Sequence, residues 1–287
     1  MNMKKLFALL TAAAMLSGCV TINTDNADVK DAKEEAEAVE TEETEDKKEE
    51  KKADKDFEPV EIEGTSTFDG AGADIVDMQK VVNSVVDLSQ YETEGIKASS
   101  GNDSFSYTPS SKTELSFDYK ITMGDDEITL PYDCKDLESL GWKYYGNGSD
   151  QELKPGYLSS SAYEKDNGQV YTGIVNDTDD VKKFGDCTIY SVDFSLYNSL
   201  DNYTEKSDNA VDFEVCGAIN NDSTIEDIVD ELGNPSSIMA YESKYESYIL
   251  FKYESKDDNG WLEFRLSDDG KKIVKLDYNY DHAKMLK

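Results

Sequence analysis

Histidine and arginine are almost missing from this chain of 287 residues: there is one of each, His282 and Arg265. A single imidazole close to the C-terminus supplies neither a multi-histidine zinc site nor a nucleophilic triad. Positive charge is scarce altogether, with 29 lysines and arginines against 62 aspartates and glutamates and a formal net charge of −33. Nucleic acid is held through clustered basic side chains, so it is not an expected partner. Cysteine is limited to Cys19, Cys134, Cys187 and Cys216, with no CxxC spacing. No metal or redox centre is expected from them, and if any bridge forms, Cys134 with Cys187 is the pair that falls in one stretch of chain. The glycines Gly141, Gly146 and Gly148 lack the Gly-Lys-Ser/Thr that makes a phosphate loop, so no cofactor is expected. Long apolar runs are missing too. The longest, residues 6–16, has eleven positions, where a membrane span takes about 20.

What is present begins at that run. Lys4 and Lys5 precede it and Leu16-Ser17-Gly18-Cys19 follows it. A positive end, a short apolar core and a small residue before the cut make residues 1–18 a signal peptide. The tetrad resembles the lipobox of bacterial lipoproteins. That resemblance implies a diacylglyceryl group on Cys19 and a protein held to the outer face of the cell membrane. Two acyl chains on one residue suffice for stable residence, each methylene contributing about 0.8 kcal/mol. Residues 19–57 are built largely from Glu, Lys, Asp, Ala and Thr. So charged a stretch has too little apolar surface to offset the entropy of ordering, and a disordered acidic tether is expected.

Beyond the tether the pattern changes. Residues 58–110 read as an N-terminal extension with one helix over residues 73–88, followed by a Ser/Thr-rich loop over 102–111. Residues 111–207 carry alternating apolar positions over 115–121, a short helix over 134–140, and strands over 159–165, 170–175 and 188–194. Residues 208–287 repeat the order more clearly. Ser223 and Glu226 have capping-box spacing, Ile225, Ile228, Val229 and Leu232 form an apolar stripe, and Gly233 with Pro235 stops the helix. Strands over 245–253, 261–266 and 272–280 follow, separated by Asn-Gly and Asp-Gly turns. The fold class expected is α+β: two tandem small modules, each a short helix packed on an antiparallel β-meander, after a disordered acidic tether.

The helix Ser-Thr-Ile-Glu-Asp-Ile-Val-Asp-Glu-Leu-Gly-Asn-Pro, from Ser223 to Pro235, followed by an aromatic-rich meander, carries a second resemblance. It is similar to the α+β module of the β-lactamase inhibitor protein and of the small lipoprotein of the outer-membrane assembly machinery. It resembles still more the paired modules of predicted Gram-positive lipoproteins of unassigned function. The resemblance implies protein–protein contact rather than chemistry, and transfers no binding residue.

The residues themselves point to one face. In Trp261-Leu-Glu-Phe-Arg-Leu, alternation sends Leu262, Phe264 and Leu266 inward and leaves Trp261, Glu263 and Arg265 outside, joined by Tyr248, or by Tyr245 and Tyr253 in the other register. Large aromatic and guanidinium groups dominate interface energetics because they combine contact area with a polar handle. The expected function is non-enzymatic binding of an unidentified protein or peptide by a monomer. Two alternatives stay open: a surface hydrolase or wall-modifying enzyme using paired carboxylates, and a sugar-capture module lined by Trp142, Tyr144 and Tyr145. The acidic turns around Asp177 and Asp257 lack EF-hand spacing, so no calcium site is assigned.

Overall fold

Alternating apolar and polar residues dictate most of the architecture. The structure, a computed structural model, describes residues 74–93, 95–99, 102–109, 121–146, 148, 150–198, 203–255 and 259–286. The signal peptide, Cys19, the tether and most of the strand expected over 115–121 lie outside the described residues. In chain order the elements begin with α1 (Ile75–Asn83), β1 (Tyr91–Thr93), β2 (Lys97–Ser99), β3 (Asn102–Pro109), β4 (Ile121–Met123), β5 (Asp126–Ile128) and β6 (Tyr132–Asp133). Next come α2 (Cys134–Ser139), β7 (Lys143–Tyr144), β8 (Glu152–Leu153), β9 (Leu158–Lys165), β10 (Gly168–Val175), β11 (Lys182–Lys183) and β12 (Thr188–Ser195). The last are β13 (Phe213–Val215), β14 (Ile219–Asn220), α3 (Ile225–Leu232), β15 (Ser237–Ser243), β16 (Ser247–Glu254), β17 (Gly260–Ser267) and β18 (Ile273–Tyr280).

The expectation of two α+β modules is overturned. One sheet of twelve strands runs in the order β1-β3-β15-β16-β17-β18-β12-β10-β9-β7, with β2 paired to β3 and β6 to β12, and the helices are three and short among the described residues. Both meanders exist, but they are fused. β12 and β18, the last strand of each, pair antiparallel with Ser191 opposite Asn279, Asp193 opposite Asp277 and Ser195 opposite Lys275. A meander that ended there would leave a row of unpaired amides and carbonyls, and joining the two edges satisfies both. The far edge of the second meander is covered as well, because β3 pairs with β15, Tyr107 standing opposite Ile238 and Phe105 opposite Ala240.

That β3 strand replaces the expected loop. Its Ser, Thr and Asn content suggests a turn, but Phe105 and Tyr107 alternate with serines and both rings are buried. Period two outweighs composition here. α1 is shorter than the helix expected over 73–88, starting at an Asp74 cap whose carboxylate accepts the Val76 amide at 2.8 Å. The α3 cap lies one residue later than its spacing suggests. Thr224 and Asp227 form the reciprocal pair, with the Thr224 amide donating to Asp227 at 2.8 Å and the Asp227 amide to Thr224 at 3.3 Å. Smaller sheets, β14-β13-β4-β5 and β11-β8, complete the described residues.

Ile75, Met78 and Val82 of α1 and Ile225 and Ile228 of α3 belong to the same buried cluster as Phe105, Phe251, Phe264, Leu276 and Phe194 of the sheet. One face of the sheet is therefore core. At one point the turn between β17 and β18 is pressed against two helices: a Cβ on Gly270, whose φ is +69°, would lie 2.8 Å from Ile225 Cγ2 and 2.9 Å from Val81 Cγ1. Gly124 also has a positive φ, +61°, but open space around it. Gly270→Ala is expected to cost about 2 kcal/mol in urea unfolding and Gly124→Ala about 1, since only the first adds overpacking to left-handed strain. Equal costs would mean that the helices yield freely to the turn.

Candidate functional site

The strand β17 divides as its sequence dictates. Leu262, Phe264 and Leu266 are fully buried, while Trp261, Glu263 and Arg265 are only partly covered on the opposite face. Of the two tyrosine registers, the one with Tyr248 is found. Tyr253 packs edge-on against Phe264 in the core, with ring centres 6.0 Å apart. Tyr245 lies in the turn between β15 and β16, 69% exposed.

Tyr248 and Arg265 are not free for a partner. The Arg265 guanidinium lies 4.3 Å from the Tyr248 ring, which is stacked in turn on Tyr241 at 5.0 Å. Tyr203, from the connection between β12 and β13, covers them. Its hydroxyl donates to Glu246 at 2.7 Å and accepts from Arg265 at 3.4 Å. Tyr203, Tyr248 and Val274 thus form a second, smaller buried cluster. Burial pushes the Tyr203 and Tyr248 phenols above their ordinary range. This end of the face is a support, held from within.

The other end is open. Register places Lys252 opposite Glu263, Glu263 opposite Asp277, Asp277 opposite Asp193 and Asp193 opposite Tyr171, one row crossing five strands. Glu254, Trp261, Asn279 and Ser191 form the next row. Lys252 caps the Trp261 ring at 5.0 Å and pairs with Glu254 at 2.7 Å. Tyr171 is half exposed.

At the centre, one ammonium serves two carboxylates. Lys275 Nζ lies 2.7 Å from Asp193 and 3.0 Å from Asp277. Burial pulls the Lys275 ammonium down, but the two aspartates outweigh it and its pKa is raised. Asp277 is pushed up to about 6, first by burial and then by Asp193, against the pull of Lys275. The row holds more negative charge than it neutralises, and a cationic group laid on it would relieve the strain. A carboxyl poised near neutrality beside another acid also has the form of a general acid. It sits, however, on a sheet face rather than at the bottom of a cleft.

Asp193, Asp277 and Tyr171 are functional candidates that sequence reasoning missed. Alternation within Ser-Val-Asp-Phe-Ser and Lys-Leu-Asp-Tyr-Asn already turns both aspartates outward. Their adjacency depends on β12 meeting β18, and local sequence does not carry strand pairing. The aromatic trio proposed for a sugar does not converge. Trp142 is buried with its indole donating to Asp126 at 2.9 Å. Tyr144 packs edge-on against Tyr163, and Tyr145 is exposed. Trp142 does line a crevice of about 230 Å³ with Asp125, Lys165 and Asp212, but neither tyrosine joins it there. His282 packs against Tyr190 with the rings tilted by 52° and their centres 5.0 Å apart.

Among the described residues no group of three or more His, Cys, Asp or Glu side chains is placed to hold a metal ion, and no helix is long and apolar enough to cross a membrane. No protein-family model matches the chain, and neither a curated protein nor a solved structure matches it.

Proposed function

We propose that this is an exported protein, anchored by lipid on Cys19, that binds a protein or peptide on the open end of its sheet face and catalyses nothing. The observation that carries this reading is the row Glu263, Asp277, Asp193 and Tyr171 beside Trp261: broad, partly exposed, aromatic at its margins and short of positive charge. A surface of that kind suits a partner presenting lysine or arginine, because complementary charge steers encounter and aromatic contact holds the complex. The raised pKa of Asp277 beside Asp193 supports the carboxylate-hydrolase alternative. What favours binding over it is the place of the pair on a sheet face, outside the crevices lined by Asp227 and by Trp142 among the described residues.

The test is affinity capture from the surface of the producing cells with the full mature chain, followed by affinity measurement on the captured partner. The double variant Trp261→Ala, Tyr171→Ala is expected to bind at least about tenfold more weakly, as loss of two interface aromatics implies. Tyr245→Ala, exposed in a turn, is the control expected to bind unchanged. Equal affinity for parent and double variant rejects the face as the site.

A further inference from the structure

The cysteines Cys134 and Cys187 are placed for a bond that this structure does not contain, both thiols being free. β6 pairs with β12, Tyr132 opposite Ile189 and Asp133 opposite Thr188. The pairing continues by one more rung, held by a single bond: the amide of Cys134, the first residue of α2, donates to the Cys187 carbonyl at 3.1 Å, while the Cys187 amide donates to the Phe184 carbonyl at 3.1 Å. Cys134 therefore stands across from Cys187. Residues facing each other at a rung of an antiparallel ladder have Cα atoms about 4.5–5.5 Å apart, inside the range of roughly 4.4–6.8 Å that a disulfide spans.

Alternation puts both side chains on the same side. Cys134 shares its face with Tyr132, and Cys187 shares its face with Ile189, the partner of Tyr132. Both cysteines are buried, 0% and 2% exposed, and belong to one core cluster. Cys187 Sγ donates to the Lys183 carbonyl at 3.2 Å, a bond between thiol and backbone that turning toward Cys134 would replace. Cys216 is exposed, belongs to no such rung and has a backbone φ of +56°.

From this placement we infer that Cys134 and Cys187 are joined by a disulfide in the exported protein, leaving Cys216 as the one free thiol of the three. The step is a thiol–disulfide exchange. Each thiol gives up a proton, their two electrons pass to a disulfide of an oxidising protein or small molecule, and that oxidant leaves as two thiols. It takes place before the core closes. Once folded, burial holds the Cys134 thiol up at about 12 and the Cys187 thiol up at about 11, so neither supplies a thiolate. The bridge closes a loop running from Cys134 to Cys187 through β7, β9 and β10, tying α2 to the strand that fuses the two meanders. It rests on the export of the chain but does not involve the binding face, and stands or falls independently of what that face binds.

The full chain recovered from the cell surface would be unfolded and treated with N-ethylmaleimide, then reduced and treated with iodoacetamide, and its peptides weighed. The expected result is maleimide on Cys216 and carbamidomethyl on Cys134 and Cys187. The Cys216→Ser variant should keep the same pattern. Reduction should lower the melting temperature by on the order of 10 °C, as opening so long a loop implies for a domain of this size. Maleimide on Cys134 and Cys187 overturns the inference, as does a bridge that includes Cys216.

Discussion

Phe264→Ala should lower the stability of the folded unit by about 3–5 kcal/mol, the usual cost of emptying a buried aromatic site. The loss should be the same whichever half of the chain reports it. Phe264 is fully buried on β17, touches Tyr253, and faces Phe251 and Leu276 on the neighbouring strands. The sheet continues from there through β18 into β12 and the first meander. Trp142 and Trp261 lie on either side of that seam and are the only tryptophans, so Trp142→Phe and Trp261→Phe give two single-probe backgrounds. In each background urea unfolding followed by tryptophan fluorescence and by circular dichroism should give coincident midpoints, and Phe264→Ala should lower the stability equally in both, because a shared core and ladder make one cooperative unit. Two separated transitions, with only the Trp261 signal responding, would restore independent halves.

That outcome separates what the sequence states from what it leaves unsaid. Most strands of both meanders were legible in 159–165, 170–175, 188–194, 245–253, 261–266 and 272–280, since period two and Asn-Gly or Asp-Gly turns are local signals, but β15, Ser237–Ser243, was not expected. So were the inward set Leu262, Phe264 and Leu266 and the outward set Trp261, Glu263 and Arg265. The fusion of β12 to β18 was not, because pairing between segments some eighty residues apart is chosen by edges seeking partners. Nor was β3, where serine content hid Phe105 and Tyr107. The same blindness misplaced the emphasis within the site. Arg265 stands out as the single arginine, yet Tyr203 and Glu246 claim it. The excess negative charge sits instead on aspartates, both held by Lys275, that resemble dozens of others until the register sets them side by side.

Those aspartates give the second large effect. Asp277 faces Asp193 from β12, Glu263 from β17 and Lys275 on its own strand, and its pKa rises from 3.8 to about 6. The folded state thus holds a proton that the unfolded chain has already released between those values. Stability from this group rises as pH falls through about 6, and is complete below the unfolded value. At pH 7.5 the ionised carboxylate is a burden. Between 3.8 and about 6 the burden amounts to roughly 3 kcal/mol, an upper bound because Asp277 keeps some contact with water. Asp277→Asn keeps an oxygen for Lys275 and removes the charge. It is expected to stabilise the protein by about 2 kcal/mol at pH 7.5, with the gain shrinking toward zero near pH 4. Urea unfolding of parent and variant across that range measures it, and the difference between them cancels the titrating groups that do not interact with Asp277. A gain that stays constant with pH would show that Asp277 is not the titrating group. If the gain appears and the captured partner also binds Asp277→Asn more weakly, the charge destabilises the fold and serves recognition, the exchange expected where a surface is kept for a partner rather than for stability.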